Sequence, residues 1–321
     1  MRQILEKIDN ALVQYGPVVL RAKPKLIILA LHSVWESKIT GVAEMMHPQQ
    51  RLTLGGLRQA LEVFSVSGYK FVSAVEVEAG LPTNGQFCLV TFDDGYRNNL
   101  DALPVLREFG APAIIFIVPD NIETGDSFWW DAVYRKGRAG GKSVGHIEQF
   151  IEKVKQCPAN ARAGLLRQAG FSESDFKPVG DTDRPLNREE LRLLAKEPGI
   201  TVGNHTWSHE ILPRCTREEQ QSSLLRTQHY VQEVCGYTPR WIAYPNGDYN
   251  QEILRVAKTT GLLCGVSLDE DWSSLPLELE KKLHLKRFLL WGDREIRTQC
   301  LRMQMGASFT TLGRRLRRHV F

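Results

Sequence analysis

Short, continuous apolar runs recur along the chain and alternate with stretches in which apolar residues return every three or four positions. The runs LIILAL (26–31), KFVSA (70–74), FCLVTF (87–92), AIIFIV (113–118), ITVG (200–203), WIAY (241–244), LCGVSL (263–268) and KRFLL (286–290) read as strands. Between them LGGLRQALEVFSVSG (54–68), NREELRLLAKE (187–197) and REEQQSSLLRTQHYVQEVCG (217–236) carry a helical period. Thr216 and Glu219 have the T-x-x-E spacing that caps a helix start, and Gly236 suits its end. Strands that are apolar on both faces and alternate with helices predict a parallel sheet buried on both sides. Seven or eight such units point to an α/β barrel related to the TIM fold, with chemistry at the C-terminal ends of the strands.

One segment breaks the rhythm. Residues 120–186 hold FWWDAVY, a Gly- and basic-rich stretch and a helical region, a length expected of an insertion that walls or covers a site. The expected organisation is an N-terminal helix over 1–25, the barrel over 26–295 with its insertion at 120–186, and a basic C-terminal helix or tail over 296–321.

With 321 residues, 42% hydrophobic and 24% charged, the chain can bury a large core. A net charge of +4 is too small to suggest a nucleic-acid partner. The six cysteines are scattered without a C-x-x-C pair, so buried free thiols are expected rather than a zinc ribbon or disulfide framework. The N-terminus mixes charged and apolar residues and lacks the apolar core of a signal peptide, which leads to the expectation of a cytoplasmic protein. Arg314, Arg315, Arg317 and Arg318 lie among apolar residues near the C-terminus. They form either a solvated helix end or a peripheral contact with anionic lipid at the inner membrane face.

Chemistry concentrates at strand ends. In TFDDGY (91–96), Asp93 and Asp94 follow a strand side by side, an arrangement that favours a nearby cation. In NHTWSH (204–209), His205 and His209 share the i, i+4 spacing that lets two imidazoles hold one metal. With one aspartate they would supply three ligands and leave a position for water. A third strand runs into RWIAYPNG (240–247), where Arg240 needs a carboxylate partner. That partner is either Asp93 or a group in a salt bridge without catalytic meaning.

These three segments, in this order, resemble the polysaccharide deacetylase family with the NodB homology domain (carbohydrate esterase family 4), over roughly residues 26–290. The resemblance implies a distorted (β/α) barrel of seven or eight units and a metal-dependent hydrolase removing N-acetyl groups from an amino sugar in a polysaccharide or lipid-linked glycan. It implies a divalent cation on Asp94, His205 and His209, Zn2+ foremost, with Co2+ or Ni2+ as alternatives. Asp93 would be the general base, the Tyr96 backbone N–H an oxyanion donor, Arg240 the partner of Asp93, and Tyr244, Pro245, Asn246 and Gly247 a substrate-side loop.

The family's late L-x-x-H histidine should fall near KLHLKRFLLWG, yet His284 there precedes its strand. His32, at the end of the first strand, fits the acid role better and resembles the permuted branch typified by deacetylases of biofilm poly-N-acetylglucosamine. Asp269 or Asp271 would orient that imidazole. Trp272 would either line the acetyl pocket or cover the core, and Trp129 and Trp130 would either stack on sugar or anchor the insertion. The displaced histidine also leaves open a silent deacetylase-like domain that binds glycan or a partner enzyme.

Overall fold

The computed structural model describes residues 23–36 and 44–306. Most of the expected N-terminal helix and the four-arginine C-terminal segment lie outside the described residues. No helix among the described residues is long and apolar enough to cross a membrane.

Among the described residues seven parallel strands carry the fold: β1 (Lys25–Leu31), β2 (Gln86–Phe92), β3 (Ala113–Ile117), β4 (Ile200–Asn204), β5 (Trp241–Ala243), β6 (Cys264–Val266) and β7 (Phe288–Leu289). Neighbours in the sheet run β1-β2-β3-β4-β5-β6. β1 and β2 are in full register from Lys25 opposite Gln86 to Leu31 opposite Phe92. The segment leading into β7 joins the two edges. Leu285 bridges Val266 of β6, and Phe288 and Leu289 pair with Leu29 and Ala30 of β1. The sheet therefore curls round into a distorted barrel, as the alternation of elements predicted.

The side-chain period of two sorts each strand into an inner and an outer set. Leu26, Ile28, Leu89, Ile114, Phe116, Trp241, Ala243, Cys264, Val266 and Leu285 fill the barrel interior. Ile27, Leu29, Leu31, Val90, Ile115 and Ile117 face outward and meet helix residues such as Leu57, Leu61, Phe64 and Val231. Gly203 on β4 has to be glycine, because a Cβ there would stand 2.4 Å from the ring of Phe116.

The helices form where their caps and periods predicted. α1 spans Leu54–Val66 with Thr53 accepting from the Gly56 amide. The long helix begins at Arg217 behind the Thr216/Glu219 capping box and ends at Cys235, where Gly236 takes φ 84°. The run KFVSA, expected as a strand, pairs only at Lys70 and Phe71. Ser73 and Glu76 then form a reciprocal capping box that starts a helix at Ala74. That local pair outcompetes the sheet ladder, and its S-x-x-E spacing was visible in the sequence.

The insertion is helical: α2 (Trp129–Ala139), α3 (Val144–Lys155) and α4 (Ala159–Gln168). Val133, Tyr134, Ile147, Ile151, Val154, Leu166 and Phe171 give it a small core of its own. All six cysteines are free.

Candidate active site

The loops after β2 and β4 meet at the C-terminal mouth of the barrel. After β2 the chain turns sharply: Asp94 adopts φ 73° and Gly95 φ 79°. A Cβ on Gly95 would stand 3.0 Å from Ile117, so the turn needs glycine both for its angle and for its room. After β4, Asn204 braces the histidine loop by accepting from the Thr206 amide at 2.8 Å and donating to the Leu224 carbonyl. Thr206 and His209 also adopt positive φ, 65° and 53°. Three left-handed non-glycine residues in one small region mark a site where packing enforces a strained backbone.

The result is a cluster of three donors. His205 Nε2 lies 3.4 Å and His209 Nε2 3.7 Å from Asp94 Oδ1, all three buried or nearly so. Two ligands each about 2.1 Å from one tetrahedral ion stand about 3.4 Å apart, so the spacing fits a shared cation. Asp94 Oδ1 is buried and accepts no hydrogen bond, which would be costly if nothing used it. His205 Nδ1–H donates to the Ala243 carbonyl at 2.7 Å, which turns the Nε2 lone pair toward Asp94. Two imidazoles and a carboxylate suit Zn2+, Co2+ or Ni2+ better than Mg2+ or Ca2+. Burial and the neighbouring His205, Arg162 and Lys155 push the His209 imidazole well below its usual pKa, which keeps it a neutral ligand. For His205, burial acts downward, but Asp94 and Asp93 outweigh it and leave the net shift upward.

Asp93 sits beside this cluster, inside the barrel mouth. Its partner is Arg287 and not Arg240. Arg287 Nη1 and Nη2 donate to the two carboxylate oxygens at 2.7 and 2.8 Å, Nη1 reaches Thr91 Oγ1, and Nε bonds the Ser267 carbonyl. Burial alone would raise the Asp93 pKa, yet Arg287 and His205 hold it down at about 2. Arg240 stands at the opposite end of the barrel, half exposed and paired with Glu78. Strand direction separates the two arginines. Arg240 begins a parallel strand, and the chemistry lies where such strands end. Arg287 follows Leu285 by two residues, so both point inward, and a buried arginine requires a carboxylate.

His32 directly follows β1 and faces the same cavity. Its backbone carbonyl accepts from Asn99 Nδ2 at 2.7 Å, and the side-chain amide of Gln49 lies 3.0 Å from its Nε2. Burial lowers its pKa, with Asp94 and Asp93 pulling the other way. Asp271 does not orient it. Asp271 accepts from Lys286 at 3.1 Å and from the Trp272 amide. Asp269 accepts from Ser267 and Tyr249. His284 stacks on Tyr249, outside the cavity.

Among the aromatic residues, Trp130 lies in the site, its ring 4.5 Å from that of His209 and its Nε1 donating to the Tyr96 hydroxyl. Trp272 does not line an acetyl pocket. It packs against the outward-facing core layer, with the Lys25 ammonium 4.2 Å from its ring centroid, because Ser273 and Ser274 pair antiparallel with the start of β1. Tyr244 turns outward and donates to the Leu283 carbonyl at 2.7 Å. Pro245 is buried, and Gly247 packs so closely on Leu268 that a Cβ would clash at 2.7 Å. Of that loop only Asn246 reaches the cavity. The Tyr96 phenol is buried and donates to Asp131 at 2.5 Å, so any catalytic part for Tyr96 falls to its backbone.

The cavity holds about 350 Å3 and collects His32, Asp93, Asp94, His205 and His209. Several of its walls were not anticipated. His47 and Gln49 come from the segment after β1, Leu268, Leu289 and Trp291 from the ends of β6 and β7, and Glu148, Ile151, Glu152 and Lys155 from α3. The last four had a readable signal, since positions i, i+3, i+4 and i+7 form one helix face.

The family model for polysaccharide deacetylases matches residues 80–265, more than half of the chain. YxkH of Bacillus subtilis (strain 168) is 26% identical over 182 residues, 56% of this chain and 44% of that protein. The peptidoglycan-N-acetylglucosamine deacetylase of Bacillus cereus is 30% identical over 117 residues, 36% of this chain and 37% of that one. The aligned stretch thus spans less than half the length of either relative. In three dimensions the Streptococcus pyogenes deacetylase PplD, solved with acetate, superposes with a TM-score of 0.60 at 18% identity, covering 88% of this chain and 99% of that one. IcaB from Ammonifex degensii gives a TM-score of 0.55 at 18% identity, over 88% and 97%. At such identities the structural likeness speaks for the fold alone. The family match, with Asp94, His205 and His209 gathered at the barrel mouth, makes this chain a member of the polysaccharide deacetylase family.

Proposed function

We propose that the chain is a metal-dependent N-deacetylase of an amino sugar carried in a glycan or on a lipid, with Asp94, His205 and His209 as its metal ligands. The observation that carries this reading is the buried, unpartnered Asp94 Oδ1 facing two imidazole nitrogens, next to a carboxylate held ionised by Arg287.

A divalent cation bound there would supply Lewis acidity, polarising the amide carbonyl and making water a usable nucleophile near neutral pH. Asp93 accepts the proton of the attacking water; Arg287 fixes both its oxygens and so its direction of attack. Arg287 and His205 hold its carboxylate ionised, so it is free to take that proton. The Tyr96 backbone N–H, next to the Gly95 turn, serves the developing oxyanion. His32 gives the leaving amine its proton, steadied by Gln49 rather than by Asp271. The carbon–nitrogen bond breaks to release acetate and leave the free amino sugar.

The test uses the full chain stripped with a chelator, then given Zn2+ or Co2+ and an N-acetylglucosamine oligomer. Acetate release should disappear and return, and the Asp94→Ala variant should neither bind Zn2+ tightly nor recover. Stoichiometric zinc binding with no acetate released from any acetylated sugar overturns the reading.

A further inference from the structure

We propose that α3 lies as a bar across the barrel mouth and makes the site a blind pocket for one N-acetylated sugar ring at the end of a chain or carrier, not for a residue inside a polymer. This inference rests on the deacetylase reading and narrows its substrate.

One face of α3 supplies Glu148, Ile151, Glu152 and Lys155 to the cavity. Two of these residues, about two turns apart, reach groups from opposite sides of the ring. In the first half of the helix, Glu148 Oε1 lies 3.7 Å from His47 Nε2. His47 also stacks edge-on to Tyr134 of α2 and sits 6.0 Å from the Trp291 ring. His47 belongs to the segment whose Gln49 touches His32 at the end of β1. At the C-terminal end, Lys155 Nζ donates to Asn246 Oδ1 at 3.1 Å, in the loop after β5. In the ring β1-β2-β3-β4-β5-β6-β7, β1 and β5 are as far apart as seven strands allow. From Glu148 to Lys155 the helix rises about 10 Å, and the two side chains extend that reach toward either wall.

The space beneath the bar is closed on the β2–β4 side. Trp130 stands against His209 there and is held by its bond to the Tyr96 hydroxyl, which Asp131 fixes in turn. Among the described residues the remaining flank is Leu268, Leu289 and Trp291, an apolar surface suited to the apolar face of a sugar ring. The carboxylates of Glu148 and Glu152 then meet sugar hydroxyls from above. A polymer threaded through the site would have to pass either Trp130 or the His47–Glu148 contact. A ring presented end-on passes neither.

Two measurements test this. First, an N-acetylglucosamine pentamer reduced at one end is treated with the Zn2+-loaded full chain and its products are sequenced by mass spectrometry. A terminal residue should lose acetate about tenfold or more faster than any interior one. Equal loss along the chain overturns the proposal. Second, tryptophan fluorescence compares binding of methyl N-acetylglucosaminide and the pentamer. Affinities within about threefold are expected, since only one ring is held. A pentamer bound about tenfold tighter or more reveals further subsites along a groove and overturns it. Single-ring binding without acetate release would sink the hydrolase reading and leave the pocket standing. The His47→Ala/Glu148→Ala variant, which frees one anchor, should raise the share of interior deacetylation, and an unchanged pattern removes α3 as the cause.

Discussion

Arg287 and Asp93, 194 residues apart in sequence, face each other across the barrel mouth through two parallel hydrogen bonds, with neither side chain reaching solvent. The pair fixes where the carboxylate points and keeps it ionised. It also ties the strand that closes the ring to the strand that carries the Asp-Asp motif. Under the proposed function, stability and catalysis would share this one contact.

Replacing Arg287 with methionine should therefore harm both. Asp93 would remain as a buried charge without its counter-ion, a loss of roughly 3–5 kcal/mol by urea denaturation. Acetate release should fall about 100-fold, in the range found when a group that orients a site residue is removed. Arg240→Ala is the control. Arg240 is half exposed but Glu78 is largely buried, so the loss should be roughly 1–3 kcal/mol, with kcat/KM unchanged. If Arg240→Ala cripples turnover while Arg287→Met leaves it intact, the assignment of the positioning arginine is wrong.

The two histidines outside the metal cluster should also part company. His32→Ala should lower kcat by about 100-fold or more, the usual contribution of a positioned acid. His284→Ala, which removes a ring stacked on Tyr249, should leave kcat within about twofold, in line with a surface change. Equal, mild effects would move the acid role to another group.

Lys25 offers a test of stability against pH. Its ammonium is buried over Trp272 and donates to the Gln304 carbonyl, and burial pulls its pKa down to about 8. In the unfolded chain the value returns to about 10.4. Between those limits the unfolded chain binds more protons, so the stability of the native protein rises with pH relative to a Lys25→Met variant. Urea unfolding from pH 7.5 to 10.5 should show the difference between the two proteins change in favour of the native one, by an amount on the order of 2 kcal/mol. A constant difference across that window excludes the effect.

Much of the site was legible because its parts are local. Asp93, Asp94 and Gly95 are adjacent, and His205 and His209 are one helical turn apart in spacing, so residue type and order alone marked them as donors at strand ends. His32 was readable for the same reason, as the residue that directly follows an apolar strand. The capping box at Thr216 and the glycine at 236 placed the longest helix to within a residue. The short-range S-x-x-E pair at Ser73 was equally visible and ends a run that hydrophobicity alone reads as strand.

What the tertiary structure decided were the pairings between distant segments. Which arginine meets Asp93 depends on which strand end lies at the mouth and which residues of that strand point inward. Both follow only once Leu285–Leu289 closes the ring. Asp271 and Trp272 have the right residue types but lie outside the cavity, Asp271 on Lys286 and Trp272 on the outward-facing core layer, where the antiparallel pairing of Ser273 and Ser274 with β1 holds the segment. The apolar and charged face of α3 was present in the sequence as a helical pattern. That it spans the mouth from His47 to Asn246 is set by packing across the ring, because a buried charge or an amphipathic face specifies the kind of partner it needs and leaves its position to the fold.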